Sequence, residues 1–281
     1  MVSISEIKSE FSLGLPIEWK SSKPWYQLTF SPEHGVLIVL MGALLTGASL
    51  AQAWTWQTSL ACLAAFLGLQ AEYPLTVQLK QRRSLKPRYL IWAGLYGGGA
   101  IAIVTGLAIQ HPCIWWVFAG GAIAMGVNML AVLRHQQKII PVEILMFTAI
   151  CLSTLLVYGS TTGHLSAEAI GLWVLNVFFF SSAIFTIKLR KAKTSSLKGG
   201  LLHHGSAILG IALLYGLGWL SLFTALTFIV ALLKLAVIIW LRDWYRHCRF
   251  EHIARFETYF ALSYIALACL TVLPARLPPP G

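Results

Sequence analysis

The sequence predicts an all-α protein, a polytopic transmembrane helical bundle of about nine spans, and three observations predict it. Hydrophobic residues fill 57% of the 281 positions and charged residues only 11%, against about 25% charged in soluble domains. The mean hydropathy of +0.73 is too high for a disordered chain. The apolar residues also fall in runs of the roughly 20 residues that a helix needs to cross hydrocarbon. A soluble enzymatic domain of ordinary size does not fit in the remainder.

With Gly, Pro and charge clusters as boundaries, the spans cover residues 36–54, 57–77, 89–109, 113–133, 139–158, 167–189, 200–217, 219–241 and 257–274. Residues 1–30 carry Glu6, Glu10 and Glu18 and read as a cytoplasmic segment, not a cleaved signal. Trp19, Trp25 and Tyr26 are its expected interfacial anchors. Lys8, Lys20 and Lys23 precede the first span, and Lys80, Arg82, Arg83, Lys86 and Arg88 separate the second from the third. Arg134 and Lys138 lie between the fourth and fifth. Lys188, Arg190, Lys191, Lys193 and Lys198 follow the sixth, and Arg242, Arg246, Arg249 and Arg255 follow the eighth. Nineteen of the 21 basic residues therefore share one side, Arg276 takes the other, and Lys234 falls inside the eighth span. Positive charge is retained in the cytoplasm, which puts the N-terminus inside and the C-terminus outside. Residues 31–275 form one transmembrane domain, with 276–281 as a short tail. The expected location is the inner membrane, or an internal membrane, of a bacterial cell.

The net charge of +11 thus reports topology, and no nucleic-acid partner is expected. Five cysteines stand singly, without a Cys-x-x-Cys pair, as small membrane-core residues. His247, Cys248, Glu251 and His252 have metal-ligand types, but Arg242, Arg246 and Arg249 around them repel a cation, so no metal site is expected. No nucleophile elbow, phosphate loop or dinucleotide fingerprint occurs, and no cofactor is indicated. The Gly97-Gly98-Gly99 run inside the third span predicts close helix packing.

Ionisable groups at membrane depth cost roughly 2.5–3.5 kcal/mol on insertion scales, so each needs a partner, a wet cavity or a function. Glu33 and His34 open the first span, Glu72 lies near the inner end of the second, Glu143 opens the fifth and Lys188 closes the sixth. His203 and His204 open the seventh, Lys234 sits about two turns from the inner end of the eighth, and Glu257 opens the ninth. All are toward the basic side, as a cavity open to the cytoplasmic leaflet requires. The bland alternative is snorkelling at helix ends. Lys234, flanked by Ala231, Leu232, Leu233, Leu235 and Ala236, demands a buried partner, with Glu72, Glu143 and Glu257 as candidates. On the opposite side stand only His111, His164 and Glu168, with Asn176 near mid-depth.

Ser31-Pro32-Glu33-His34-Gly35 before the first span, Tyr73-Pro74 and the Ser182–Lys188 stretch resemble the YwiC-like family of polytopic membrane proteins. His204 and Glu257 sit where that family shows similar features, and the resemblance covers about residues 30–275. Val36-Leu37 replaces an Ala-Trp pair of other members. The resemblance implies a membrane bundle and no particular chemistry. A weaker, architectural resemblance is to the UbiA-type intramembrane prenyltransferases, which place Asp-rich, Mg²⁺-binding motifs in the loops after the second and sixth spans. Here those loops read Glu72–Lys80 and Ser181–Arg190, with one carboxylate where several are needed, so magnesium-dependent prenyl transfer is not expected.

Three functions compete. The first is a protein that binds or acts on an anionic amphiphile, a lipid or isoprenoid, in a cavity facing the cytoplasm. Lys188, His204 and Lys234 would contact its head, with Glu72, Tyr73 and Glu257 completing the binding set and Glu33 or His34 as candidate catalytic acid or base. It predicts one cavity open sideways to lipid. The second is a scaffold whose charges satisfy one another and whose basic loops meet anionic membrane lipid or an acidic partner; a closed ion pair at Lys234 favours it. The third is a transporter, against which stand the odd span count and the lack of a repeat.

Overall fold

The computed structural model describes residues 29, 34–81, 85–190 and 197–273, the His34 side chain excepted. Among them the chain is helical, with no strand: α1 (His34–Ala51), α2 (Trp56–Lys80), α3 (Pro87–Gln110), α4 (Ile114–Leu133), α5 (Ile140–Thr162), α6 (Ala167–Lys188), α7 (Leu197–Gly216), α8 (Leu222–Leu226), α9 (Ile229–Trp240), α10 (Arg242–His247) and α11 (Phe250–Val272). Eight segments among the described residues are long and apolar enough to cross a membrane, α8 and α9 counting as one, and α1 adds a shorter apolar helix over Gly35–Ala51. The protein is a multi-pass membrane bundle. The segment 1–28, with Trp19, Trp25 and Tyr26, and the residues Glu33, Arg82, Arg83, Lys191, Lys193 and Arg276 lie outside the described residues.

Local chemistry sets the helix ends. Thr55 and Thr58 form a reciprocal capping box at the start of α2, and Ser166 accepts from the Ala169 N–H at the start of α6. Pro87 opens α3, where its missing N–H costs nothing. Gly163 ends α5 at φ +81°, a left-handed conformation that a side chain resists.

Two spans depart from the sequence reading. The eighth is broken at Thr227–Phe228 into α8 and α9: the Ser221 hydroxyl caps α8, and the Thr227 hydroxyl donates to the Thr224 carbonyl within the break. The last helix begins at Phe250, not 257, and the basic segment before it holds the short α10, so much of the expected loop is helical. There Arg190 donates to the Cys248 carbonyl and Lys188 to that of Lys138, which gathers three basic segments at one end of the bundle.

Helices α1 and α5 run through the middle. Gly47 lets α1 touch the α5 backbone, since a Cβ there would stand 2.5 Å from the Thr154 carbonyl oxygen. On one flank lies an apolar core from α1, α2, α3, α4 and α5, with Ala169 at the start of α6; on the other lies one from α6, α7, α9 and α11, joined by Val39 and Cys151. Between them Asn176, fully buried on α6, donates to the Thr46 hydroxyl on α1 (2.8 Å) and the Thr154 hydroxyl on α5 (3.0 Å), and accepts from Tyr264 of α11 (2.7 Å). One amide ties four helices at mid-depth, where no water competes.

Candidate functional site

The described residues enclose a cavity of about 440 Å³ between α2, α3, α4 and α5, with Leu40 of α1 at its back. That is within the size range of small-molecule sites, roughly 300–1,000 Å³. Small residues create it. Gly68 of α2 and Gly121 of α4 line the wall, and a Cβ added at either would meet nothing within 4 Å. The glycine run of α3 plays a divided part: Gly97 and Gly99 pack on Ala71 and Leu67 of α2, as expected, and Gly97 also faces the cavity. Helix α3 leans on α2 and touches α4 only sparsely. Ile101, 53% exposed, and the exposed Ala122 both line the cavity on that seam, so it opens sideways between α3 and α4.

The lining is apolar except for Glu72 and Ser153. Glu72 lies eight residues before the end of α2, roughly 12 Å along the helix from Lys80. It accepts a hydrogen bond from the Asn128 amide of α4 at 2.9 Å, and Asn128 is itself buried. The Ser153 hydroxyl donates to the Ile150 carbonyl at 2.7 Å. The cavity thus has one acidic end, toward the basic face of the bundle, and a long apolar body running to Val117 and Leu156.

The other sequence-predicted residues gather elsewhere. Lys234, 2% exposed, donates to Glu257 at 3.0 Å and to the Ser182 hydroxyl at 2.9 Å, with its ammonium 5.5 Å from the centre of the Phe179 ring. Of the three candidate partners, Glu257 is the one it meets. The second oxygen of Glu257 accepts from the Thr186 hydroxyl (2.8 Å) and the Tyr245 hydroxyl (3.2 Å). Burial, then the neighbouring carboxylate, push the Tyr245 hydroxyl up from its ordinary range, so it remains a protonated donor. Lys188 pairs with Glu143 at the mouth of α5. His204 is buried, its Nδ1 2.8 Å from the Gly200 carbonyl, and its Nε2 has no partner among the described residues. His203 stacks on Phe185 and meets the His204 ring edge-on, the centroids 5.5 Å apart and the planes nearly perpendicular. Tyr73 is half-buried on α2, one residue past Glu72. Glu33 and the His34 side chain lie outside the described residues.

So the cations expected at a head-group site, Lys188 and Lys234, each hold a carboxylate, and only Glu72 of the expected set lines the cavity. Sequence reasoning missed Asn128, although an amide within the otherwise apolar fourth span was a visible signal. It also missed Ser182, Thr186 and Tyr245 as the remaining partners of the Lys234–Glu257 pair.

Residues 30–158 match the family of YwiC-like proteins. This YwiC-like stretch is a little under half of the chain, and it contains every residue that lines the cavity, from Leu40 to Leu156. Ser182, Lys188, His204, Lys234 and Glu257 lie beyond it. No curated protein and no solved structure matches the chain.

Proposed function

We propose that the protein binds the apolar chain of a membrane amphiphile, a lipid or isoprenoid, in the cavity between α2 and α5. The observation that carries this reading is the cavity itself: some 440 Å³ of nearly unbroken apolar wall, open sideways at the α3–α4 seam, with a carboxylate at one end. A stable bundle with no ligand to hold has reason to fill such a space, because each missing methylene contact weakens packing. The basic segments on the side of Glu72 support an orientation with that end in the cytoplasm of a bacterial cell, at its inner or an internal membrane.

The closed Lys234–Glu257 pair favours a second reading for the other flank, a scaffold whose charges serve the fold. The two are compatible if α6–α11 buttress the cavity-bearing helices. Native mass spectrometry with lipid analysis tests the proposal on protein purified in mild detergent. Wild type and Lys234→Met are expected to retain the same amphiphile, and Gly68→Leu, which fills the cavity, to lose it. Retention of the same lipid by Gly68→Leu would refute a ligand role for the cavity.

A further inference from the structure

The cavity has walls on four sides and a floor. Short connections make α2, α3, α4 and α5 alternate in direction, so their lining residues can be ordered by distance from the basic face. Leu75, Gly97, Met125 and Met146 stand nearest that face, and Ala64, Val104, Val117 and Leu156 stand farthest from it. These last four, one from each helix, are all buried. They belong to a packed core that continues beyond them through Ala61, Leu107, Ile114 and Tyr158. The cavity is therefore blind at its far end. It runs about 16 Å along α2 from Leu75 to Ala64, and about 15 Å along α5 from Met146 to Leu156, at a rise of 1.5 Å per residue.

That depth matches one leaflet, half of a hydrocarbon core roughly 30 Å thick. The volume agrees. A water molecule takes about 30 Å³ of liquid and a methylene nearly the same, so 440 Å³ holds about 15 such groups, one tail and not two. Met125 and Met146 suit a straight or a methyl-branched chain, because thioether side chains re-pack readily. Resting on the proposed ligand role of the cavity, we infer that its floor sets the length of the tail. The ligand places one chain of about 15 carbons, a fatty acyl tail or a short isoprenoid, with its head toward the basic face and its end on Val117 and Leu156. The tail enters through the α3–α4 seam, where Ile101 and Ala122 are exposed. A long polyprenyl chain does not fit, and Val117 and Leu156 are the residues that determine this specificity.

A competition between tails tests the inference. Lauroyl-, palmitoyl- and arachidoylglycerol, phytanylglycerol and undecaprenol are offered together to delipidated full-length protein in detergent, and bound species are counted by native mass spectrometry. Wild type is expected to hold the palmitoyl compound about tenfold over the arachidoyl one, the scale of an overpacked core. It is expected to prefer palmitoyl to lauroyl, which leaves part of the cavity without contacts, and to exclude undecaprenol. Phytanylglycerol carries a branched tail of similar length; its standing against palmitoyl distinguishes an isoprenoid from an acyl source, and a lead by either supports the length limit. Leu156→Ala lowers the floor and is expected to bring arachidoyl level with palmitoyl. Val117→Ala makes the same test on α4 if the first variant folds poorly. Gly121→Leu, which fills the cavity, is expected to bind none of the probes. A lead by lauroyl, or equal retention of palmitoyl, arachidoyl and undecaprenol that Gly121→Leu abolishes, would overturn the length limit and leave the cavity reading intact. A preference unmoved by both floor variants would overturn the role of the floor. Binding of no probe by wild type, or binding unchanged by Gly121→Leu, would overturn the cavity reading and this inference with it.

Discussion

Gly47 and Gly68 are helical glycines of one membrane bundle, and their surroundings are opposite. A Cβ at Gly47 would press to 2.5 Å of the Thr154 carbonyl oxygen, whereas at Gly68 nothing comes within 4 Å. The first glycine lets two helices meet and the second keeps space open. Polar groups follow the same division. In the α6–α11 flank Lys234, Glu257, Ser182, Thr186 and Tyr245 satisfy one another, and Asn176 has three partners. In the α2–α5 flank Glu72 borders empty volume. Polar groups at membrane depth thus knit helices together on one flank and border a cavity on the other.

The largest expected effect breaks the closed side. Lys234→Ala leaves the partly buried Glu257 opposite Thr186 and Tyr245 without its cation, and is expected to cost about 3 kcal/mol. Unfolding in mixed micelles measures it. The double change Lys234→Met with Glu257→Gln is expected to recover most of that loss, and a double variant as unstable as Lys234→Ala would show that the charges are not coupled. Next, Gly47→Ala is expected to destabilise by about 1–3 kcal/mol, because the atom it meets is backbone and cannot turn aside. Asn176→Ala removes three interhelical bonds whose average value in membranes is about 0.6 kcal/mol each, so a loss of about 2 kcal/mol is expected from the same assay. The smallest effect belongs to the open side. Gly68→Ala and Gly121→Ala are expected to leave stability unchanged or raise it by up to about 1 kcal/mol, since a methyl group fits and helical glycine is itself unfavourable. A loss at Gly68 equal to that at Gly47 would erase the distinction between the flanks.

Much of the fold was legible in the sequence because membrane insertion writes itself linearly. Length, apolarity and the alternation of basic with neutral gaps located the spans to within a few residues, except where a local feature intervened. The break at Thr227–Phe228 sits inside a run interrupted there only by Thr224 and Thr227, where hydropathy sees no boundary. The start of α11 was hidden because Glu251, His252 and Arg255 read as loop while lying in the first turns of the helix, behind Arg249 at its N-cap. The site was less legible. Lys234 had to have a carboxylate, and Glu257 was among the three candidates, yet helix rotation decides which one it meets. The cavity had still weaker notice. In hydrocarbon both faces of a span are apolar, so the pattern of Gly68, Gly97 and Gly121 does not reveal which side of a helix faces a neighbour and which faces a void.

Helix α1 also has a temporal consequence. Its Thr46 hydroxyl joins an amide on α6 that is completed by Tyr264 of α11, and its Gly42 notch is filled by Phe180 and Ile265 of those same two helices. Helix α1 is therefore finished by helices that follow it far along the chain. Until they are made, α1 waits in the bilayer with an unfilled notch, and a chain stopped before α11 leaves that notch half occupied.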